Sequence, residues 1–130
     1  MQNLKVIYED NHCIVVIKPA GIPSQADKTG DIDMLTIIKD YIKEKYNKPG
    51  NVYLGLVHRL DRPVGGIMVF AKTSKAASRL SEQVRNKEFK KEYLVIVDSK
   101  MEQPKGIFED YIVKNELSPS KLRQNVHFYY

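Results

Sequence analysis

Val57-His58-Arg59-Leu60-Asp61-Arg62-Pro63-Val64-Gly65-Gly66, followed by Ile67-Met68-Val69-Phe70-Ala71, decides how the rest of the chain is read. Leu54–Val57 is short and apolar. Ile67–Ala71 is an unbroken apolar run, the pattern of a strand buried on both faces. The stretch therefore predicts strand, polar turn, strand. Pro63 fixes one backbone angle, and the glycines admit angles that other residues avoid. Asp61 is thus expected at the rim of a rigid core, on a turn with little freedom. Arg59 and Arg62 are placed to hold its charge or to attract phosphate. On these residues alone, a surface turn with a structural ion pair is an equally good reading.

The surrounding composition narrows the choice. A chain of 130 residues and 15.0 kDa suits one domain with one core. Hydrophobic residues at 42% and charged residues at 28% are ordinary for a globular protein. The net charge of +5 leans towards a polyanionic partner without requiring one. Cys13 is the only cysteine, so no intramolecular disulfide can form, and its apolar neighbours predict a buried free thiol. With no secretory signal and no apolar run of membrane-spanning length, the expected location is the cytoplasm.

Taken in order, Leu4–Tyr8 and Cys13–Ile17 read as a hairpin closed by the polar turn Glu9–His12. Lys18-Pro19-Ala20-Gly21-Ile22-Pro23 forces a stiff, extended connection. Lys18 is either a surface lysine or one that points at a polyanion. Gln25–Asp31 reads as a mobile polar loop. Asp31 or Asp33 then caps a helix beginning near Met34, with Leu35, Ile38 and Ile42 at helical spacing. Asn47-Lys48-Pro49-Gly50 ends it. Thr73 caps a second helix whose narrow apolar face is Ala76, Ala77, Leu80 and Val84. Lys87, Lys90 and Lys91 continue a basic run around Phe89, either a solvated face or a phosphate-facing rim. Glu92–Val97 and Ile107–Val113 read as strands. Pro119, Lys121, Arg123 and Gln124 give no clear element, and His127–Tyr130 looks like the middle of a strand. Its apolar, abrupt end predicts an uncovered sheet edge or apolar face, and poor solubility or self-association of residues 1–130 made alone.

Other chemistries find little support. No Gly-rich phosphate loop follows a strand, and no nucleophile elbow is present. His12, His58 and His127 are isolated, with no metal-ligand spacing. Paired carboxylates of a glycosidase are not evident, and Asp31 and Asp33 are explained by capping.

Taken together, the stretches resemble the pseudouridine synthase family that modifies uridines in large-subunit ribosomal RNA and some transfer RNAs. Val15-Val16-Ile17-Lys18-Pro19-Ala20-Gly21 is similar to its N-terminal Lys-Pro-x-Gly segment. His58-Arg59-Leu60-Asp61 matches its central signature, and Lys91-Glu92-Tyr93 its Lys-x-Tyr segment. The resemblance implies an α+β fold, a mixed and mainly antiparallel sheet with flanking helices. It implies an RNA-modifying isomerase that needs no cofactor and no metal, acts as a monomer when full length, and has RNA as its partner. It assigns Asp61 as catalytic carboxylate and Tyr93 as the ring that stacks on the target uracil. Arg59 holds the flipped-out base, and Arg62, Lys18, Lys90 and Lys91 form the RNA-facing set. His58 is read as a packing or turn residue.

The sequence also departs from the family pattern. Arg62-Pro63-Val64-Gly65-Gly66 stands where the family usually has Asp-Thr-Ser-Gly after one residue, so the usual turn hydroxyls are missing. Nothing in Leu117–Tyr130 matches the family's C-terminal arginine motif. Residues 1–130 are therefore expected to be the N-terminal and central part of a single catalytic domain, without a separate N-terminal RNA-binding module. A non-catalytic RNA-binding relative or fragment is the alternative.

Overall fold

The computed structural model describes residues 4–98, 100, 102–103, 105–113 and 121–129. They fall into two units, residues 1–91 and 92–130.

The larger unit is built on a four-stranded antiparallel sheet. Its strands are β1 (Lys5–Glu9), β2 (Cys13–Lys18), β3 (Gly55–Leu56) and β4 (Gly66–Ala71), in the order β1-β2-β4-β3. The β1–β2 hairpin closes as its polar turn predicts. The Asp10 carboxylate accepts hydrogen bonds from the His12 and Cys13 amides, both at 2.7 Å. Six residues of β2 pair without interruption with β4, from Cys13 opposite Ala71 to Lys18 opposite Gly66. Strand alternation puts Ile14, Val16 and Lys18 on the buried face of β2. Helix α1 (Met34–Lys45) covers that face with Met34, Ile38 and Ile42, which join Ile14, Val16, Met68 and Phe70 in the core. Of the two candidate caps, Asp33 does the work, its carboxylate accepting from the Thr36 amide.

Helix α2 (Ser74–Arg85) starts at the predicted Thr73 cap and lies close to the sheet. A Cβ added to Gly55 would sit 3.0 Å from the Ala77 Cβ and 3.5 Å from that of Ala71. Small residues thus set the helix–sheet distance. None of the residues of α2 is fully buried, and it covers only one end of its face. This corrects the expectation that β4 is buried on both sides. Ala71, beneath α2, is buried, whereas Ile67 at the other end of the same face is 64% exposed.

The smaller unit holds an antiparallel hairpin of β5 (Lys105–Val113) and β6 (Lys121–Tyr129), running from Lys105 opposite Tyr129 to Val113 opposite Lys121. Two expectations need correction here. Glu92–Val97 carries no strand, for a strand exists by pairing, and no described segment pairs with it. Lys121, Arg123 and Gln124, read as no clear element, belong to β6. Pro119 and Tyr130 lie outside the described residues. No helix among the described residues is long and apolar enough to cross a membrane.

Candidate active site

The loop from Val57 to Gly65 leaves the sheet after the two-residue β3 and returns as β4. Its main chain is held at successive points. Ser24, buried, grips Leu60 twice: its Oγ accepts from the Leu60 amide at 3.2 Å and donates to the Leu60 carbonyl at 2.6 Å. Lys18 then holds the far side. Its Nζ donates to the carbonyls of Pro19 (3.0 Å), Arg62 (3.1 Å) and Val64 (2.6 Å). The Arg62 carbonyl also accepts from the Gly21 amide at 2.8 Å, and the Val64 amide donates to the Asp61 carbonyl at 3.0 Å, closing a four-residue turn.

Two glycines make this approach possible. Gly21 has φ +89°, a conformation that L side chains rarely adopt. Gly65 packs on the main chain of the Lys18–Ala20 segment, where an added Cβ would lie 3.3 Å from the Ala20 nitrogen.

Lys18 is fully buried on the core face of β2, so its ammonium is spent within the protein rather than turned towards a ligand. Burial lowers its pKa, and the nearby Asp61 carboxylate acts in the opposite sense. Asp61 itself is exposed. Three main-chain carbonyls stabilise a cation that would otherwise be costly to bury.

Arg62 was expected to hold the charge of Asp61 or to meet RNA. Its guanidinium instead turns to the loop after β2. Nε donates to the Gly21 carbonyl at 3.0 Å, Nη1 to the Thr29 hydroxyl at 3.1 Å, and Nη2 to the Asp31 carboxylate. Asp27 lies 3.7 Å from Nη1. The loop read as mobile is therefore tied to the Asp61 turn, and Asp31 serves Arg62 rather than capping α1. Arg62 also lowers the Asp31 pKa, with help from the Thr29 hydroxyl.

The remaining predicted site residues are placed as follows. Arg59, Lys90 and Lys91 are exposed, and belong to the same unit as Asp61. His58 precedes them at the root of the loop, its ring against Phe89 with centroids 5.3 Å apart. Its Nε2 accepts from the Val69 amide at 3.1 Å. Tyr93 is 63% exposed in the smaller unit. Among the described residues, no group of three or more His, Cys, Asp or Glu side chains is arranged to hold a metal.

Sequence reasoning missed Ser24. Its link to Leu60 joins positions 36 apart, and no local pattern marks such a pair. A cavity of about 220 Å³ is lined by Asn11, Tyr46, Lys48, Tyr53, Lys72 and Thr73. It flanks the Cys13–Ala71 end of the sheet, away from the Lys18–Gly66 end that carries Asp61.

These features meet the comparisons with known proteins. A family model described as RNA pseudouridylate synthase matches residues 12–129. "Ribosomal large subunit pseudouridine synthase C" of Buchnera aphidicola subsp. Acyrthosiphon pisum is 32% identical over 110 residues, 85% of this chain and 31% of that protein. "Uncharacterized RNA pseudouridine synthase YhcT" of Bacillus subtilis is 31% identical over 92% of this chain and 39% of its own length. "tRNA pseudouridine synthase C" of Haemophilus ducreyi is 31% identical over 97% of this chain and 52% of its own. The chain thus spans about a third to a half of the length of these relatives. Among solved structures, "Human RNA Pseudouridylate Synthase Domain Containing 4" shares the fold, with a TM-score of 0.64 at 20% identity over 89% of this chain and 43% of that one. The fold is the α+β arrangement of a pseudouridine synthase catalytic domain, and with a family match over residues 12–129 the chain belongs to the RNA pseudouridylate synthase family.

Proposed function

We propose that the protein is an RNA pseudouridine synthase that isomerises specific uridines in ribosomal or transfer RNA, with Asp61 as its catalytic carboxylate. The observation that carries this reading is the exposed Asp61 on a turn whose main chain is fixed at Leu60, Arg62 and Val64. A reacting group held this way needs little reordering when the substrate arrives.

The reaction breaks the bond from ribose C1′ to uracil N1, turns the base, and joins C1′ to C5. The C5 proton is lost and N1 gains one, so atoms and electrons balance without a redox partner. Asp61 serves either as nucleophile at the sugar or ring, or as base in an elimination at the sugar. The target base must leave its stack to reach the carboxylate. Arg59 supports the flipped-out arrangement, Tyr93 stacks on the uracil, and Lys90 and Lys91 contact phosphates. Lys18 and Arg62 act one step back, as the frame of the turn. In this reading the partner is RNA, the enzyme is a cytoplasmic monomer, and no cofactor takes part.

The test is to map pseudouridine in ribosomal and transfer RNA from cells with and without the protein, then to restore the modification with purified protein. At least one uridine should depend on it. A modification map unchanged by its loss, together with no product in vitro, would overturn the reading.

A further inference from the structure

Strand β3 stops early. Its register with β4, Gly55 opposite Ala71 and Leu56 opposite Phe70, would next put Val57 opposite Val69. In an antiparallel ladder, alternate pairs exchange both main-chain hydrogen bonds. Gly55–Ala71 and Val57–Val69 share that alternation, so the Val69 amide would go to the Val57 carbonyl. It goes instead to the imidazole Nε2 of His58, at 3.1 Å. One side chain has taken the place of one main-chain acceptor, and the chain leaves the sheet two residues after β3 begins.

We infer that His58 is a positioning residue for Asp61, its neutral imidazole replacing the main-chain acceptor that β3 does not supply. The substitution lets residues 57–65 swing out as a loop while keeping one anchor to β4. Together with Ser24 at Leu60, that anchor fixes the approach to Asp61 from the N-terminal side. The same ring meets Phe89, next to Lys90 and Lys91, so it also joins the basic segment after α2 to the root of the loop. Because Nε2 accepts, the ring proton sits on Nδ1. This arrangement gives His58 no free Nε2 for acid–base chemistry, which separates positioning from catalysis.

The arrangement requires a neutral ring. Protonation would turn Nε2 into a donor facing the Val69 donor. Two groups around the ring oppose protonation, the Val69 amide of β4 and the Lys91 ammonium of the segment after α2, whose Phe89 ring packs on the imidazole. On its own loop, Arg59 and Asp61 lie one and three positions away. Burial, with the Lys91 charge adding to it, lowers the His58 pKa.

The effect on turnover rests on the pseudouridine synthase reading; the effect on the amide does not. The experiment compares wild type with His58→Gln, which keeps an uncharged acceptor, and His58→Leu, which has none. Hydrogen exchange of the Val69 amide, corrected for intrinsic rates, is followed by NMR on the full chain at pH 7.5 and 5.0, together with the His58 ring-nitrogen signals, which report its tautomer and protonation. Single-turnover pseudouridine formation is measured alongside. Val69 protection should fall at least tenfold in the Leu variant at both pH values. In wild type it should hold at pH 7.5 and fall only in proportion to the share of His58 rings that are protonated, and in the Gln variant it should hold at both. Turnover should follow the same pattern, with RNA affinity within about twofold. Should no form yield product, the amide data still decide the hydrogen-bond role. A ring proton found on Nε2 at pH 7.5, or Val69 protection that holds in wild type as the His58 ring takes up a proton, would overturn the inference, even if the Leu variant does not fold. So would a folded Leu variant with wild-type turnover.

Discussion

Ser24 and Leu60 are joined by two hydrogen bonds through a single hydroxyl, at 3.2 and 2.6 Å, immediately before Asp61. Both partners are buried, so neither the amide nor the carbonyl of Leu60 can turn to water if the hydroxyl is removed. A Ser24→Ala change should cost about 2 kcal/mol of stability. It should also lower turnover more than RNA affinity, because the turn loses its anchor while the basic surface is untouched. Denaturant unfolding and single-turnover kinetics on one preparation check this. A stable variant of normal activity would show that the clasp is unimportant.

Arg62 and Lys90 should part company in RNA binding. Arg62 is engaged by Gly21, Thr29, Asp27 and Asp31, whereas Lys90 is exposed. Lys90→Gln should weaken binding uniformly and reduce the slope of log affinity against log salt by about 0.7 to 0.9. Arg62→Gln should leave that slope unchanged and speed proteolysis within residues 25–31. The opposite assignment of slopes would place Arg62, not Lys90, on the RNA.

Glu9 should govern part of the acid stability. Its side chain is 7% exposed and bonds Lys45 and Lys72 at 2.7 Å each, with the Tyr41 and Tyr46 hydroxyls completing the shell. Burial alone would raise its pKa; the two ammonium groups and Tyr46 outweigh that and hold it at about 2, against an ordinary 4.5. A carboxyl depressed by folding stabilises the protein above its unfolded pKa, and that contribution is lost as pH falls through the folded value. Stability should therefore drop by roughly 2 to 3 kcal/mol between about pH 5 and 2 from this group. Asp10, held at about 2 by the Cys13 and His12 amides, titrates over the same range. Comparison with Glu9→Gln isolates the Glu9 share: the variant should be less stable at pH 7 and change less on acidification. Parallel curves for the two proteins would contradict the assignment.

Tyr93→Phe keeps the ring for stacking and removes the hydroxyl. If the hydroxyl assists proton transfer, turnover should fall at least tenfold while RNA affinity stays nearly constant. Equal single-turnover rates at saturating RNA would restrict Tyr93 to stacking.

Much of this frame is legible in the sequence because it is local. The polar residues Glu9–His12 mark a tight turn, Thr73 and Asp33 cap helices, and the apolar run Cys13–Ile17 marks β2. The family resemblance singles out the His58–Asp61 signature, and the structure adds how that turn is held. The Ser24–Leu60 clasp and the reach of Arg62 to Asp31 depend on pairings 36 and 31 positions apart, which no periodicity reveals. Lys18 shows the same limit in another form. A lysine after Ile14-Val15-Val16-Ile17 looks like the polar end of a strand, yet alternation carries it onto the core face, where turn carbonyls receive it. The end of β6 is legible at His127–Tyr129, but its first half gives no clear element because Gln124 interrupts the apolar positions Leu122, Val126 and Phe128, and pairing with β5 makes the whole segment a strand.

The central claim is that Asp61 reacts while the turn around it merely holds it in place. Asn is nearly the same size but carries no charge and is a poor nucleophile. The decisive measurement is single-turnover pseudouridine formation by Asp61→Asn, made with melting temperature and RNA affinity on the same preparation. The account predicts a melting temperature close to wild type, since the turn is held through main-chain groups of Leu60, Arg62 and Val64. It predicts RNA affinity equal or slightly higher, since one negative charge has gone, and product at background. Substantial product from the folded Asn variant, with deamidation back to Asp excluded by mass, would contradict it.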